Sequence, residues 1–162
     1  MPKENPHPIR ATTVVSPTSI DLSANVPAEL VVEPVLKPRV LFRVTSATSR
    51  HDREALLHSL TSNYELQQRP RKIERIYSVL HFAISMWTSA DAALANALAW
   101  PKNGDHIARL HLLPGIGICV DRPPNESEHR SLWAAPDQVL RCVADVRKAS
   151  DIENKPGYTR KQ

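Results

Sequence analysis

Seven of the fourteen prolines in this 162-residue chain fall within its first 38 residues, a stretch with no Phe, Trp or Tyr. Proline fixes φ and offers no backbone donor, so such a segment cannot run through a helix or the middle of a sheet. Its apolar runs, Val14-Val15 and Leu30-Val31-Val32, are cut by Pro17, Pro27 and Pro34. Burial on that scale does not offset the entropy of ordering the backbone. Residues 1–38 are therefore expected to be a disordered arm. The alternative is an extended segment that docks on a protein partner or lies along the domain, with residues 30–36 its most adhesive part. Residues 150–162 are polar, contain Pro156-Gly157 and end basic, which predicts a disordered tail. What remains, residues 39–149, is about 110 residues, enough for one domain around one core.

Charge and cysteine usage narrow the class. The net charge is +4, but residues 1–38 contribute −1, so the excess lies in the rest of the chain. Fourteen of the 21 basic residues are Arg, whose planar fork suits phosphate or carboxylate. A polyanionic partner, nucleic acid included, stays open beside an ordinary solvated basic surface. Two cysteines, Cys119 and Cys142, exclude a disulfide scaffold, and without a Cys-x-x-Cys pair a zinc ribbon is excluded too. No apolar run follows Met1, so no signal peptide is expected. Residues 76–100 carry one formal charge, Asp91, yet hold several Ser, Thr, His and Asn residues, which predicts two short elements rather than a membrane span. A cytoplasmic protein with reduced cysteines is the resulting expectation.

Periodicity supplies the elements. Val40 to Thr45 alternates as a strand, with Val40, Phe42 and Val44 on one face and Leu41 and Arg43 on the other. Ser49 is the expected cap of a first helix carrying Leu56, Leu57, Leu60 and Tyr64. A second helix is expected from Pro70, with Ile73, Ile76, Tyr77 and Leu80 on one stripe and the basic run Arg69 to Arg75 on the solvent side. A short strand or extended loop over 82–87 precedes a third helix capped by Ser89, with Leu94, Ala97 and Leu98 inward. His106 to Leu113 and Ile116 to Val120 read as a hairpin turned at Pro114-Gly115. A polar loop over 121–130, a short helical turn from Pro136 and a last strand over 141–147 complete the order β-α-α-β-α-β-β-(short helix)-β. Early helices and late strands predict an α+β domain with three helices and a mixed or antiparallel sheet.

Chemistry-bearing residues are few. The seven histidines show no zinc spacing, so no metal site is expected. Both cysteines fall on expected strands as small buried hydrophobes. The remaining constellation is Arg43 within an apolar strand, Ser85 and Trp87 on one side of a stretch before a helix, and Glu128, His129 and Trp133 near the end of the domain. Polar groups embedded in such stretches require partners, because an unpaired buried polar group costs about 1–3 kcal/mol. Trp87 and Trp133 are alternatively plain core aromatics.

Phe42-Arg43-Val44 on a first strand, Ser85-x-Trp87 before a helix and the strands that follow resemble the ADP-ribosyltransferase and RES-type toxin families. Ile107-Ala108-Arg109-Leu110 and Leu132-Trp133-x-x-Pro136-Asp137-Gln138-Val139-Leu140 also resemble a small bacterial family without an assigned activity. The first resemblance implies a NAD cleft. Arg43 would hold a phosphate or ribose, Ser85 the nicotinamide ribose, and Trp87 would stack on the nicotinamide. A late acid, Glu128 beside His129 or Asp145, would act as positive charge develops at C1′. No Glu-x-Glu or Gln-x-Glu motif accompanies these acids.

Two function classes follow. One is a NAD- or nucleotide-handling enzyme with Arg43, Ser85 and Trp87 binding and Glu128 and His129 catalytic. The other is a non-catalytic protein- or nucleic-acid-interaction module, or a toxin–antitoxin component.

Overall fold

The computed structural model describes residues 31–72, 75, 81–121 and 128–152. Its strands are β1 Val31–Pro34, β2 Arg39–Thr45, β3 Ile84–Trp87, β4 His106–Leu112, β5 Ile118–Asp121, β6 His129–Trp133 and β7 Val143–Lys148. Its helices are α1 Arg53–Ser59, α2 Ala90–Ala99, α3 Pro136–Leu140 and α4 Ala149–Ile152, with a 3₁₀ turn at Pro101–Asn103. The strands form one sheet in the order β1-β5-β6-β3-β2-β4-β7, and every neighbouring pair is antiparallel. This is the α+β class expected from the sequence. Among the described residues no helix is long and apolar enough to cross a membrane.

The order of strands forces the sheet to curl. A flat sheet would hold β1 and β2 four strand spacings apart, about 19 Å, before any offset along the strands. The residues joining Pro34 to Arg39 span at most about 18 Å. The register resolves the conflict. β1 pairs with β5 from Val31↔Asp121 and β2 pairs with β4 from Arg39↔Leu112, an offset that changes by a single residue. Between them the Val35 amide donates to Gly117 and the Val35 carbonyl accepts from Gly115. Residues 31–45 and 106–121 thus make one long, bent antiparallel ribbon, and β3 and β6 close the space between its two halves.

The curl creates an inner and an outer face. Inside lie Val35, Leu41, Ile84, Met86, Leu110, Leu112 and Leu132, together with Leu56 and Leu60 of α1 and Val139 and Leu140 of α3. Outside, Phe42, Val44 and Ile107 are covered by Ala90, Ala93, Leu94 and Ala97 of α2 and by Ala149 and Ile152 of α4. Strand alternation assigns each residue to one side or the other.

Several expectations are corrected. Residues 31–38 join the domain: β1 is paired along its length and Val35 is 1 % exposed. Pro34 is tolerated because β1 is an edge strand in the pairing order. Residues 31–36 therefore lie along the domain, while residues 1–30 lie outside those described. At the other end α4 continues to the buried Ile152, past the boundary set at 149. β4 and β5 do not form a hairpin; each pairs with a half of the other strand of the ribbon, and Pro114-Gly115-Ile116-Gly117 is its bend. β6 replaces the end of the expected polar loop, because the ladders of β3 and β5 on either side satisfy its backbone whatever its side chains favour. Asp52, not Ser49, caps α1, and Ser49 Oγ accepts from the His51 amide in the preceding turn. Ser89 caps α2 as expected, but Leu98 points outward and is 69 % exposed. The helix expected from Pro70, with Ile73, Ile76, Tyr77 and Leu80, lies outside the described residues apart from the helical Lys72 and Arg75.

Candidate functional site

The registers Arg109↔Asp145, Phe42↔Arg109, Phe42↔Trp87 and Trp87↔His129 place five residues in one row across the outer face: Asp145, Arg109, Phe42, Trp87 and His129. Ser85 and Ser131, opposite each other on β3 and β6, occupy the next row on the same face. The Trp87 and His129 rings meet edge to face at 4.9 Å, and His129 is only 8 % exposed. Arg109 and Asp145 form a half-buried ion pair at 3.1 Å. At the end of the row the Thr88 amide donates to the Glu128 carbonyl at 2.9 Å, and the Thr88 hydroxyl donates to Glu128 Oε1 at 3.2 Å. Four sequence candidates, Ser85, Trp87, Glu128 and His129, thus sit on or beside one surface. Trp133, at 2 % exposure, is a core residue.

Arg43 does not join them. It neighbours Phe42 on the strand, so its side chain leaves the sheet on the inner side, across from Met86. There its Nε donates to the Ser59 carbonyl at 2.8 Å and Nη1 to the Ser85 carbonyl at 2.9 Å. The β2–β3 seam is held by the single pairing Phe42↔Trp87. Arg43 supplies the donor that the short ladder does not give to Ser85, and it closes the last carbonyl of α1 at the same time. Burial, and secondarily the charge of Arg71, lowers its pKa to about 10, so it stays a cation at neutral pH. The single NAD cleft implied by the resemblance needs the guanidinium and the Trp87 ring on one face; strand alternation puts them on opposite faces.

A hydroxyl relay beside Arg43 was not legible in the sequence. The Ala47 amide donates to Thr45 Oγ1, which lies 2.6 Å from Ser59 Oγ, and Ser59 Oγ donates to the Ala55 carbonyl. With the Ala47 amide and the Ala55 carbonyl fixing the ends, each hydroxyl gives one bond and receives one. The signal available was only a Thr on a strand and a Ser seven residues into a short helix region, and their meeting is tertiary. The Arg109–Asp145 pair had a fairer signal, since both sit at outward positions of alternating strands.

Cys142 is a buried free thiol whose Sγ lies 3.6 Å from the Gln138 carbonyl, a packing role. Among the described residues no group of three or more His, Cys, Asp or Glu could hold a metal ion. Comparison with protein-family models, curated proteins and solved structures found no match to the chain.

Proposed function

We propose that the chain is a non-catalytic interaction module that binds a polyanion through the surface built by α1 and the segment after it. One observation carries this reading. Residues 50–75, which hold α1 and the segment after it, carry six Arg or Lys against four Asp or Glu, a net +2 of the chain's +4. Arg50, Arg53, Arg69, Arg71, Lys72 and Arg75 within that stretch are all exposed. Exposed charge concentrated in one part of the chain raises the local potential and steers polyanions more than the same charge spread evenly. The non-catalytic part of the reading rests on Arg43, whose bonds tie the main chain together. A cytoplasmic setting fits the free, buried Cys142 thiol.

Inorganic polyphosphate is the direct probe. Binding should weaken steeply with added salt, as expected when Lys and Arg displace counterions. The variant Arg69→Gln/Arg71→Gln/Lys72→Gln should lose most of the affinity, and Lys102→Gln/Lys148→Gln, outside this stretch, should not. Absence of binding at low salt, or equal losses in the two variants, refutes the reading.

A second reading keeps the nucleotide idea on the outer face alone, with Ser85 and Trp87 binding and Glu128 and His129 assisting. The Trp87–His129 contact beside the Thr88–Glu128 pair favours it. NAD or ADP-ribose at about 100 times its dissociation constant should add about 2.7 kcal/mol of stability. A thermal-shift series without any rise removes this reading.

A further inference from the structure

We infer that the polyanion is a single-stranded nucleic acid, with unpaired bases stacking on an aromatic group formed by Tyr64, His81 and Phe82. The inference rests on the polyanion reading and names its ligand. The Tyr64 and Phe82 ring centroids lie 4.2 Å apart, and His81 meets Tyr64 at 5.9 Å and Phe82 at 6.0 Å. The Tyr64 amide donates to the His81 carbonyl at 3.2 Å, which locks the two segments that carry the rings. Tyr64 is nonetheless 48 % exposed, and His81 and Phe82 are half-buried. The group is therefore held together by its own ring contacts and part-open to solvent, a geometry that a ring serving only as core filling does not need.

The chain then delivers charge to the same place. After α1 the Leu66 amide donates to Ser62, that of Gln67 to Tyr64 and that of Gln68 to Asn63, the last at 2.9 Å. These bonds turn the chain back on itself, so residue 68 lies beside residue 63 and Arg69 follows directly from the turn that carries the tyrosine. Arg71, Lys72 and Arg75 continue from there, all exposed. An exposed ring near a basic strip is what sequence-tolerant single-strand binding uses: cations follow the phosphates while every base offers a face to stack. Duplex bases are already stacked on one another and gain nothing from the rings. An acidic protein or polyphosphate offers no bases at all.

Fluorescence anisotropy with the full chain tests this, using labelled oligothymidylate of about 20 nucleotides, the corresponding duplex and inorganic polyphosphate. Oligothymidylate should bind more tightly than the duplex. Tyr64→Leu should weaken oligothymidylate binding about 5- to 100-fold and leave polyphosphate affinity unchanged, whereas Tyr64→Trp should preserve or strengthen it. The Leu variant keeps apolar bulk over Phe82, and circular dichroism of both variants checks their folding. If Tyr64→Leu binds oligothymidylate as well as the parent, or the duplex binds as tightly as the single strand, the stacking inference is wrong while polyphosphate binding still upholds the polyanion reading. If neither oligothymidylate nor polyphosphate binds at low salt, both are wrong.

Discussion

The bend of the long ribbon can be tested with two alanines placed two residues apart. Gly115 and Gly117 both have positive φ, +88° and +75°. An L-residue forced into this region costs about 1–2 kcal/mol at either position. Their surroundings differ completely. A Cβ on Gly115 would meet nothing within 4 Å, whereas one on Gly117 would lie 2.6 Å from the Trp133 carbonyl oxygen and 2.7 Å from Ala134 Cβ. Neither atom is the loose end of a side chain: the first belongs to β6 and the second to a residue of the inner core. Relieving the overlap means shifting the end of β6 away from the ribbon, an overpacking cost of about 1–3 kcal/mol. Gly115→Ala should thus lose about 1–2 kcal/mol and Gly117→Ala about 2–5 kcal/mol. The difference between them isolates the close approach of ribbon and β6. For a domain of this size it corresponds to a gap in melting temperature of roughly 3–15 °C. Urea denaturation of both variants, fitted with a common m-value, gives the difference directly. Equal destabilisation would mean that β6 does not press on the bend, and the account of how the sheet closes would fail with it.

Two further outcomes follow from the side-chain geometry. Arg43→Met leaves the Ser59 and Ser85 carbonyls without their donor, at about 1–3 kcal/mol each, while relieving the burial of a cation; a net loss of about 2 kcal/mol by urea midpoint is expected, and a neutral result would show that water or a neighbour takes over the two bonds. Asp105 accepts a 2.7 Å hydrogen bond from His106, which holds its carboxyl below the ordinary value. That contribution is complete above the unfolded carboxylate pKa and disappears as pH falls through the lower folded one, so Asp105→Asn should lower the melting temperature slightly at neutral pH and converge with the parent as pH falls below about 4; a constant offset, or none, across that pH range contradicts the assignment.

Strands with strict alternation were legible in the sequence. Val40 to Thr45 and His106 to Leu112 announce themselves because one set of side chains meets a core and the other does not. The Ser89 cap was equally legible, since a Ser followed by Ala-Asp-Ala before a run of Ala and Leu has few other uses. β1 was not, because two prolines hide a four-residue strand whose stability comes wholly from β5. β6 was hidden for a related reason: His129, Arg130 and Ser131 have little strand preference, and neighbours on both sides impose the extended form. The false hairpin came from a Pro-Gly pair that does turn the chain, but through a bend rather than a reversal. For the candidate site, alternation already told that Arg43 faces away from Phe42. What it withheld was that Trp87 pairs with Phe42, a single contact that decides which residues share a surface.

The two strands of the bent ribbon are contributed by distant parts of the polypeptide, with partners about 60 to 90 positions apart. Contacts of that separation place a domain among slow folders, because the intervening loop has to be closed before the pairing can repay it. During synthesis β1 and β2 leave the ribosome long before β4 and β5 exist. Val31-Val32 and Leu41-Phe42 then wait as unmatched sticky segments through most of translation. A ribosome stall or nonsense codon between residues 46 and 105 would release a fragment carrying half a ribbon, the kind of species that chaperones and proteases must intercept before it finds another copy of itself.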